Sequence, residues 1–241
     1  MSILEVEKLN KTFGGLIAVR DFDMSVEKGE IVGLIGPNGA GKTTLFNMVA
    51  CFYPPDSGRI IFQGTDLAGM KPYQVCALGI ARTFQLTKPF VNNTVLENVM
   101  VGAFSRASSA PKARRKALEV LEAVEFIEYK DVLGQELTTA DQKRLEFARS
   151  LATEPQLLLL DEAMAGLNPA EKLRLLELLR RIRDRGITLV VVEHDMKAVM
   201  TLCERIILMH RGEKLVEGTP QKVANDPRAI AAYLGAEYDP T

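Results

Sequence analysis

Residues 36–44 are Gly36-Pro37-Asn38-Gly39-Ala40-Gly41-Lys42-Thr43-Thr44, a glycine-rich run between an apolar pentapeptide and a helical stretch. The run satisfies the phosphate-loop pattern, in which glycines let backbone N–H groups surround a phosphate at a helix N-terminus. We expect Lys42 to reach the outer phosphates and Thr43 to offer its hydroxyl to magnesium. A glycine turn without a ligand is the alternative, but a strand at 31–35 and a helix at 42–50 supply the context that phosphate binding requires.

The flanking sequence predicts an α/β fold. An alternation around Leu4 and a second one ending at Val26 are typical of half-buried antiparallel strands, both at the edge of a sheet. Apolar runs at residues 157–160 and 188–192 enclose an amphipathic helix at 171–184. This alternation of strand and helix predicts parallel βαβ units.

The middle of the chain predicts a helical insertion, because strand signals fade in residues 95–129. Apolar residues recur there at helical spacing, among them Leu118, Leu121, Val124 and Ile127. We expect one domain over all 241 residues, with a core formed by 1–85 and 155–241 and a helical part at about 90–152. The basic run 112–116 predicts a solvated face, with contact to lipid headgroups or a partner as the alternative.

Composition excludes some classes of function. The chain carries 30 Lys and Arg against 31 Asp and Glu, so its net charge of -1 gives no overall attraction to nucleic acid. We expect Cys51, Cys76 and Cys203 to be buried thiols in a reducing compartment, without disulfide or metal-ligand spacing. No targeting segment or run long enough to span a bilayer is evident, which predicts a cytosolic protein whose membrane role comes through a partner.

Two carboxylates follow the apolar run 157–160, at the end of a strand where open parallel sheets bind ligands. We expect Asp161 to hold magnesium, directly or through water. Glu162 is placed to accept a proton from, or to orient, the water that attacks a γ-phosphate. The alternative is a buried strand that simply ends in an acidic turn.

The next strand, 188–192, ends in Glu193-His194-Asp195. A histidine at such a terminus can donate to a phosphate oxygen or fix the attacking water. A structural histidine with its hydrogen bonds satisfied remains the alternative for His194.

Five landmarks in order make nearly the whole chain resemble the ATPase subunits of ABC transporters. The matches are Gly36 to Thr44 (Walker A), Ala81-Arg82-Thr83-Phe84-Gln85 (Q-loop), Asp161-Glu162 (Walker B and catalytic glutamate), Ala165-Gly166-Leu167-Asn168 (D-loop) and His194 (switch histidine). The resemblance implies a P-loop NTPase fold with a parallel core sheet, an antiparallel β edge subdomain and a helical subdomain. It also implies ATP and Mg²⁺ as cofactors, with the nucleotide held by Gly36, Pro37, Asn38, Gly39, Ala40, Gly41, Lys42, Thr43 and Thr44.

The resemblance assigns further roles. Gln85 would act at the catalytic centre, contact the metal ion with Thr43 and Asp161, and couple them to a groove for membrane subunits, with residues 86–98 as the expected contact. Phe13 stands where an aromatic side chain stacks on adenine, although the sequence alone favours a core position for it.

The residues of four segments resemble those of ABC ATPases of the branched-chain amino-acid importer type. These segments are Ala81-Arg82-Thr83-Phe84-Gln85, Ala165-Gly166-Leu167-Asn168-Pro169, Glu193-His194-Asp195-Met196 and Ala232-Tyr233-Leu234-Gly235. The implied partners are a second ABC ATPase subunit in a homo- or heterodimer, two transmembrane permease subunits and, indirectly, a periplasmic solute-binding protein, with no nucleic acid. The chain would then lie on the inner face of the cell membrane. Alternatives are a lipopolysaccharide-type exporter, a non-transport regulator that binds ATP, and a soluble ABC ATPase of DNA repair or translation.

One motif departs from the family pattern. The segment that usually has the sequence Leu-Ser-Gly-Gly-Gln, here called the signature segment, is Leu137-Thr138-Thr139-Ala140-Asp141. By resemblance the Thr138 hydroxyl would cap the γ-phosphate bound by the opposite subunit. If Thr139 or Ala140 needs a left-handed conformation, the strain is about 1–2 kcal/mol. We therefore expect a heterodimer with unequal sites. Ala163, where relatives usually carry proline, predicts a less rigid loop.

Overall fold

The computed structural model describes residues 2–84 and 88–234. Its strands are β1 (Ser2–Phe13), β2 (Leu16–Glu27), β3 (Ile31–Ile35), β4 (Ser57–Phe62), β5 (Thr65–Asp66), β6 (Ile80–Arg82), β7 (Leu157–Asp161), β8 (Thr188–Val192), β9 (Arg205–His210) and β10 (Glu213–Gly218). Its α-helices are α1 (Lys42–Val49), α2 (Pro72–Leu78), α3 (Val95–Ala103), α4 (Ala110–Ala123), α5 (Thr139–Ala152), α6 (Pro169–Asp184), α7 (Met196–Leu202), α8 (Pro220–Ala224) and α9 (Pro227–Leu234). Short 3₁₀ turns lie at Ile127–Tyr129 and Gly134–Glu136.

The central sheet has the order β10-β9-β3-β8-β7-β6, and all its pairs except β10 with β9 are parallel. Every residue of β3, β7 and β8 is buried. Strands covered on both faces carry continuous apolar runs rather than alternation, which is why these three were evident in the sequence. The prediction of an α/β fold with a parallel core is confirmed.

A second sheet with the order β2-β1-β4-β5 is antiparallel and shares a second hydrophobic core with α1 and the central sheet. In β2, Phe22, Met24 and Val26 are buried while their neighbours face outward, as the alternation predicted. The expectation that both alternating strands are sheet edges is wrong for β1, because β4, about 50 residues further along the chain, pairs with its other side.

Helices α3, α4 and α5, here called the helical segment, pack on one another and share one hydrophobic core with the central sheet. Thr94 begins α3 through a capping box with Glu97. A β-carbon added at Gly102 would lie 2.3 Å from the carbonyl oxygen of Arg149, so the absent side chain lets α3 approach α5 closely. The basic run 112–116 lies inside α4 and not in the connection before it, and its one alanine, Ala113, is buried.

The three cysteines are free thiols. Cys203 is buried, which raises the pKa of its thiol to about 12. Cys51 and Cys76 are only partly buried, so the expectation of buried thiols holds fully for Cys203 alone. In the described part of the chain, no helix combines the length and apolarity that crossing a bilayer requires.

Candidate functional site

The phosphate loop connects the end of β3 to α1, and its backbone requires glycine at two positions. Gly36 and Gly41 have φ angles of 150° and 105°. A β-carbon would lie 2.0 Å from the Met209 carbonyl oxygen at Gly36 and 2.2 Å from the Ala18 carbonyl oxygen at Gly41. No other residue fits there without moving the neighbouring backbone.

Lys42, the first residue of α1, is buried beneath this loop. Its ammonium group donates to the carbonyl oxygens of Gly36 at 2.7 Å and Pro37 at 3.0 Å. Burial lowers the pKa of Lys42, while the nearby charges of Glu162 and Asp161 oppose that shift. The Thr43 side chain is exposed and lines the same cleft as Asp161.

Asp161 ends β7, is 1% exposed and forms a buried ion pair with Arg82, whose guanidinium lies 2.7 Å from Oδ2. Burial raises the pKa of Asp161, and the charge of Arg82 counteracts this. The second oxygen, Oδ1, is buried without a hydrogen-bond partner. Leaving such an atom unsatisfied costs about 1–3 kcal/mol.

This orphaned carboxylate oxygen fits a magnesium ion. Mg²⁺ prefers oxygen ligands, usually one or two carboxylates together with phosphate and water. Asp161 Oδ1 would supply such a ligand, and the Thr43 hydroxyl, which lines the same cleft, would supply a second oxygen. Gln85, the third metal ligand expected from the sequence, lies outside the described residues.

Glu162 and His194 come together because β7 and β8 are adjacent parallel strands that end side by side. His194 Nε2 lies 2.8 Å from Glu162 Oε1. Glu162 has a φ of 51°, a left-handed conformation that costs about 1–3 kcal/mol in a residue with a side chain. A hydrogen bond of 2.9 Å from its N–H to the Val192 carbonyl joins it to β8. A paired carboxylate and imidazole can hold and deprotonate a water molecule.

Several contacts of this site were missed in the sequence. Arg82 appeared only as part of a motif, and its pairing with Asp161 depends on β6 lying beside β7. Glu193 is buried, accepts a 2.7 Å hydrogen bond from the Met164 N–H, and has a pKa raised to about 7 by burial. Its position directly after the apolar run 188–192 is the sequence signal that could have identified Glu193 as a buried acid. On α9, burial raises the pKa of the Tyr233 hydroxyl, and the Gly36 backbone opposes this shift.

Phe13 ends β1 and is 41% exposed, so the core position favoured by the sequence alone is wrong. Its ring meets that of Tyr53 edge to face, with centroids 5.4 Å apart. An exposed aromatic face at this position is available to a flat ligand such as adenine.

Thr138 is the N-cap of α5, where its hydroxyl accepts from the Asp141 N–H at 3.2 Å and lies 2.6 Å from Asp141 Oδ2. Thr139 and Ala140 lie in the first turn of this right-handed helix, and neither has a positive φ. The condition for strain at these positions is therefore not met. Thr138 lines a cleft of about 370 Å³ that also borders Glu162.

A larger cleft of about 710 Å³ lies between the core and the helical segment. Thr43, Arg82 and Asp161 line this cleft together with Phe52 and Phe84, which are each a little under half exposed. Lys88 also lines it, whereas Leu86 and Thr87 lie outside the described residues. The cleft thus joins the expected metal site to an apolar surface.

Two family models match the chain. The model described as "ABC transporter" matches residues 19–165, and that described as "Branched-chain amino acid ATP-binding cassette transporter" matches residues 213–239. The chain is 40% identical to the high-affinity branched-chain amino acid transport ATP-binding protein LivG of Escherichia coli K12, over 97% of this chain and 98% of that protein. It is 36% identical to the lipopolysaccharide export system ATP-binding protein LptB of Haemophilus influenzae, over 99% of each.

Solved structures agree. The ADP conformation of MJ1267, an ATP-binding cassette of an ABC transporter, has a TM-score of 0.88 and 30% identity, covering 98% of this chain and 99% of its own. The cassette MJ0796, in a dimeric post-hydrolysis state bound to ADP and Pi, has a TM-score of 0.82 and 26% identity, covering 90% of this chain and 98% of its own.

Proposed function

We propose that this chain, which belongs to the ABC transporter family as an ATP-binding subunit, hydrolyses Mg-ATP to drive the import of branched-chain amino acids or related small polar, amide or organic-acid solutes. The observation that carries the hydrolytic part is the pairing of Glu162 with His194 beside the buried Asp161. The proposed solute class is supported by the 40% identity to LivG and by the match of residues 213–239 to the branched-chain amino acid family model.

Each residue has a distinct task in this proposal. The backbone of the phosphate loop and Lys42 bind the β- and γ-phosphates, and Phe13 stacks on the adenine. A magnesium ion held by Asp161 and Thr43, together with Gln85, would neutralise charge on the phosphate oxygens. Glu162 takes the proton of the attacking water, while His194 keeps the Glu162 carboxylate oriented through their 2.8 Å contact. Burial of Asp161 and Lys42 strengthens these interactions by excluding water.

The proposal includes partners of three kinds. A second ABC ATPase subunit would form a dimer with it, as the dimeric state of MJ0796 suggests, and Thr138 would then face the nucleotide of the opposite subunit. The 710 Å³ cleft, with the exposed Phe52 and Phe84, suits an apolar segment of a transmembrane permease subunit. The chain would work in the cytoplasm, on the inner face of the cell membrane, and a periplasmic solute-binding protein would select the cargo.

Export is the second candidate, because LptB of H. influenzae matches over as much of the chain as LivG does. The match at residues 213–239 to the branched-chain model favours import.

Transport in proteoliposomes tests the proposal. The chain is reconstituted with candidate membrane subunits and a second ABC ATPase from the same organism, and uptake of labelled leucine is measured with a solute-binding protein and ATP present. Uptake that requires ATP and vanishes with Glu162→Gln is the expected result. ATP-dependent extraction of lipopolysaccharide without leucine uptake would replace import by export.

A further inference from the structure

Lys143 lies in the second turn of α5 and crosses from the helical segment to the core. It lines the 370 Å³ cleft that separates α5 from α6. Its ammonium group donates to the carbonyl oxygen of Glu162 at 3.1 Å and to that of Ala165 by a short hydrogen bond. These two carbonyls are the ends of residues 162–165, which we call the catalytic loop.

The catalytic loop needs such support, since Glu162 holds the left-handed φ of 51° in a residue that is not glycine. A conformation of this kind persists only where the surrounding structure determines it. Met164 N–H donates to Glu193 at 2.7 Å, and Ala165 N–H donates to the Glu162 carbonyl at 3.2 Å. Lys143 adds the described hydrogen bonds that tie this loop to the helical segment.

The charge of Lys143 is balanced by three carboxylates. Burial lowers the pKa of Lys143, and three acidic groups oppose this shift: Glu193 directly after β8, Glu162 on the loop and Glu146 one turn further along α5. A half-buried ammonium group among three acidic groups donates charge-assisted hydrogen bonds, which are roughly twice as strong as neutral ones. The group that donates to the catalytic loop is therefore a charged ammonium and not a neutral donor.

We propose that Lys143 is a positioning residue for hydrolysis: its ammonium group holds the catalytic loop so that the Glu162 carboxylate stays against His194. Lys143 touches no reacting atom in this role. Lys143 links α5, the helix that Thr138 caps, to Glu162, the residue that acts on water. Movement of the helical segment therefore changes the placement of Glu162. This inference rests on the proposed role of Glu162 in hydrolysis.

The experiment compares four variants of the full-length chain within its assembled transporter. Lys143→Met removes the charge at similar length, and Lys143→Arg retains donors. Arg181→Met is the matched control, because Arg181 also crosses this cleft, through a 2.8 Å ion pair with Glu125 whose partners are both about half exposed. Glu162→Gln is the reference. The dissociation constant for ATP, kcat, KM and the melting temperature are measured for each.

Lys143→Met is expected to lower kcat about 10- to 100-fold, the effect of a small misplacement of a catalytic group, with ATP affinity changed by less than about threefold. Lys143→Arg is expected to recover part of kcat, and Arg181→Met to stay within about twofold of wild type. This split separates positioning from general destabilisation, which would affect binding and melting together. If Lys143→Met does not fold, Lys143→Gln takes its place and must show the same split.

Two results overturn the inference in distinguishable ways. If Glu162→Gln removes this site's share of turnover while Lys143→Met leaves kcat unchanged, or lowers it only in proportion to ATP affinity, Lys143 has no positioning role and the proposed function stands. If Glu162→Gln keeps full turnover, the proposed role of Glu162 fails and the inference fails with it.

Discussion

The phosphate loop and the signature segment both include residues at the start of a helix, but they differ in whether the backbone has room for a β-carbon. At Gly36 and Gly41 the φ angles and the neighbouring carbonyls admit no β-carbon. Thr139 and Ala140, where the family pattern has glycines, lie in ordinary helical backbone. Loss of glycine is therefore tolerated by the fold in the signature segment and excluded in the phosphate loop.

The comparison extends to charge. Lys42 brings a cation to the start of α1, whereas Asp141 places a carboxylate in the first turn of α5, against the Thr138 hydroxyl. A carboxylate at a helix N-terminus occupies the site that would otherwise attract a phosphate. We expect this chain's own nucleotide site to be competent and the surface it offers to its partner's nucleotide to be weaker, which gives unequal sites in a heterodimer.

The largest effect is expected on the phosphate-loop side, from Asp161→Ala. This change leaves the buried guanidinium of Arg82 without its 2.7 Å partner, and breaking a buried pair in this way costs about 3–5 kcal/mol. Urea unfolding without magnesium measures the loss, with Glu213→Ala, at the exposed ion pair with Arg20, as the control. A loss below about 1 kcal/mol would show that the pair does not stabilise the core.

Lys42→Ala is expected to come next, with kcat/KM for ATP lowered about 10²- to 10³-fold, the usual effect of removing one donor to a developing charge. The exposed Lys112 on α4 supplies the control Lys112→Ala, for which wild-type kinetics are expected. Equal kinetics in the two variants would place the phosphates elsewhere.

The sequence predicted what depends on local pattern. β3 was expected at 31–35 and is Ile31–Ile35, because a strand buried on both faces must be apolar throughout. The site's ion pair was not predictable, since Arg82 and Asp161 are 79 residues apart and meet only because β6 pairs with β7. The same holds for β1, whose second neighbour β4 is distant in the chain. The strain that a left-handed conformation would cause at Thr139 or Ala140 does not arise, because both residues lie in the right-handed first turn of α5.

Glu193 accepts a hydrogen bond from Met164 in the catalytic loop and lies near Lys143 of α5, so its titration tests this part of the site through pH. Burial raises its pKa from 4.5 to about 7 in the folded state, so the folded protein binds the extra proton between these values and loses stability as the pH rises through them. The total is about 3 kcal/mol at 1.36 kcal/mol per unit. Glu193→Gln should flatten this decline, which urea unfolding from pH 5 to 8.5 would reveal. Parallel curves for the two proteins would mean that Glu193 does not titrate in this range.

The smallest effect is expected from Thr139→Gly combined with Ala140→Gly, which gives the signature segment both glycines of the family pattern. Removal of the β-carbons lets the opposite nucleotide approach, and turnover of the assembled complex should rise about two- to tenfold, up to 1.4 kcal/mol. Glycine also weakens the first turn of α5 by about 1 kcal/mol per residue, so the melting temperature is recorded in parallel. Unchanged or lower turnover would remove the argument for unequal sites.

The central claim is that Glu162 makes this chain's own site hydrolytic. It is tested most directly by steady-state Mg-ATPase activity of the assembled transporter, with wild-type or Glu162→Gln subunit, while ATP binding is measured on the same samples. The account predicts that the variant binds ATP as tightly as wild type and loses its share of turnover. Undiminished hydrolysis by the variant, or ATP binding without hydrolysis by the wild type, would contradict it.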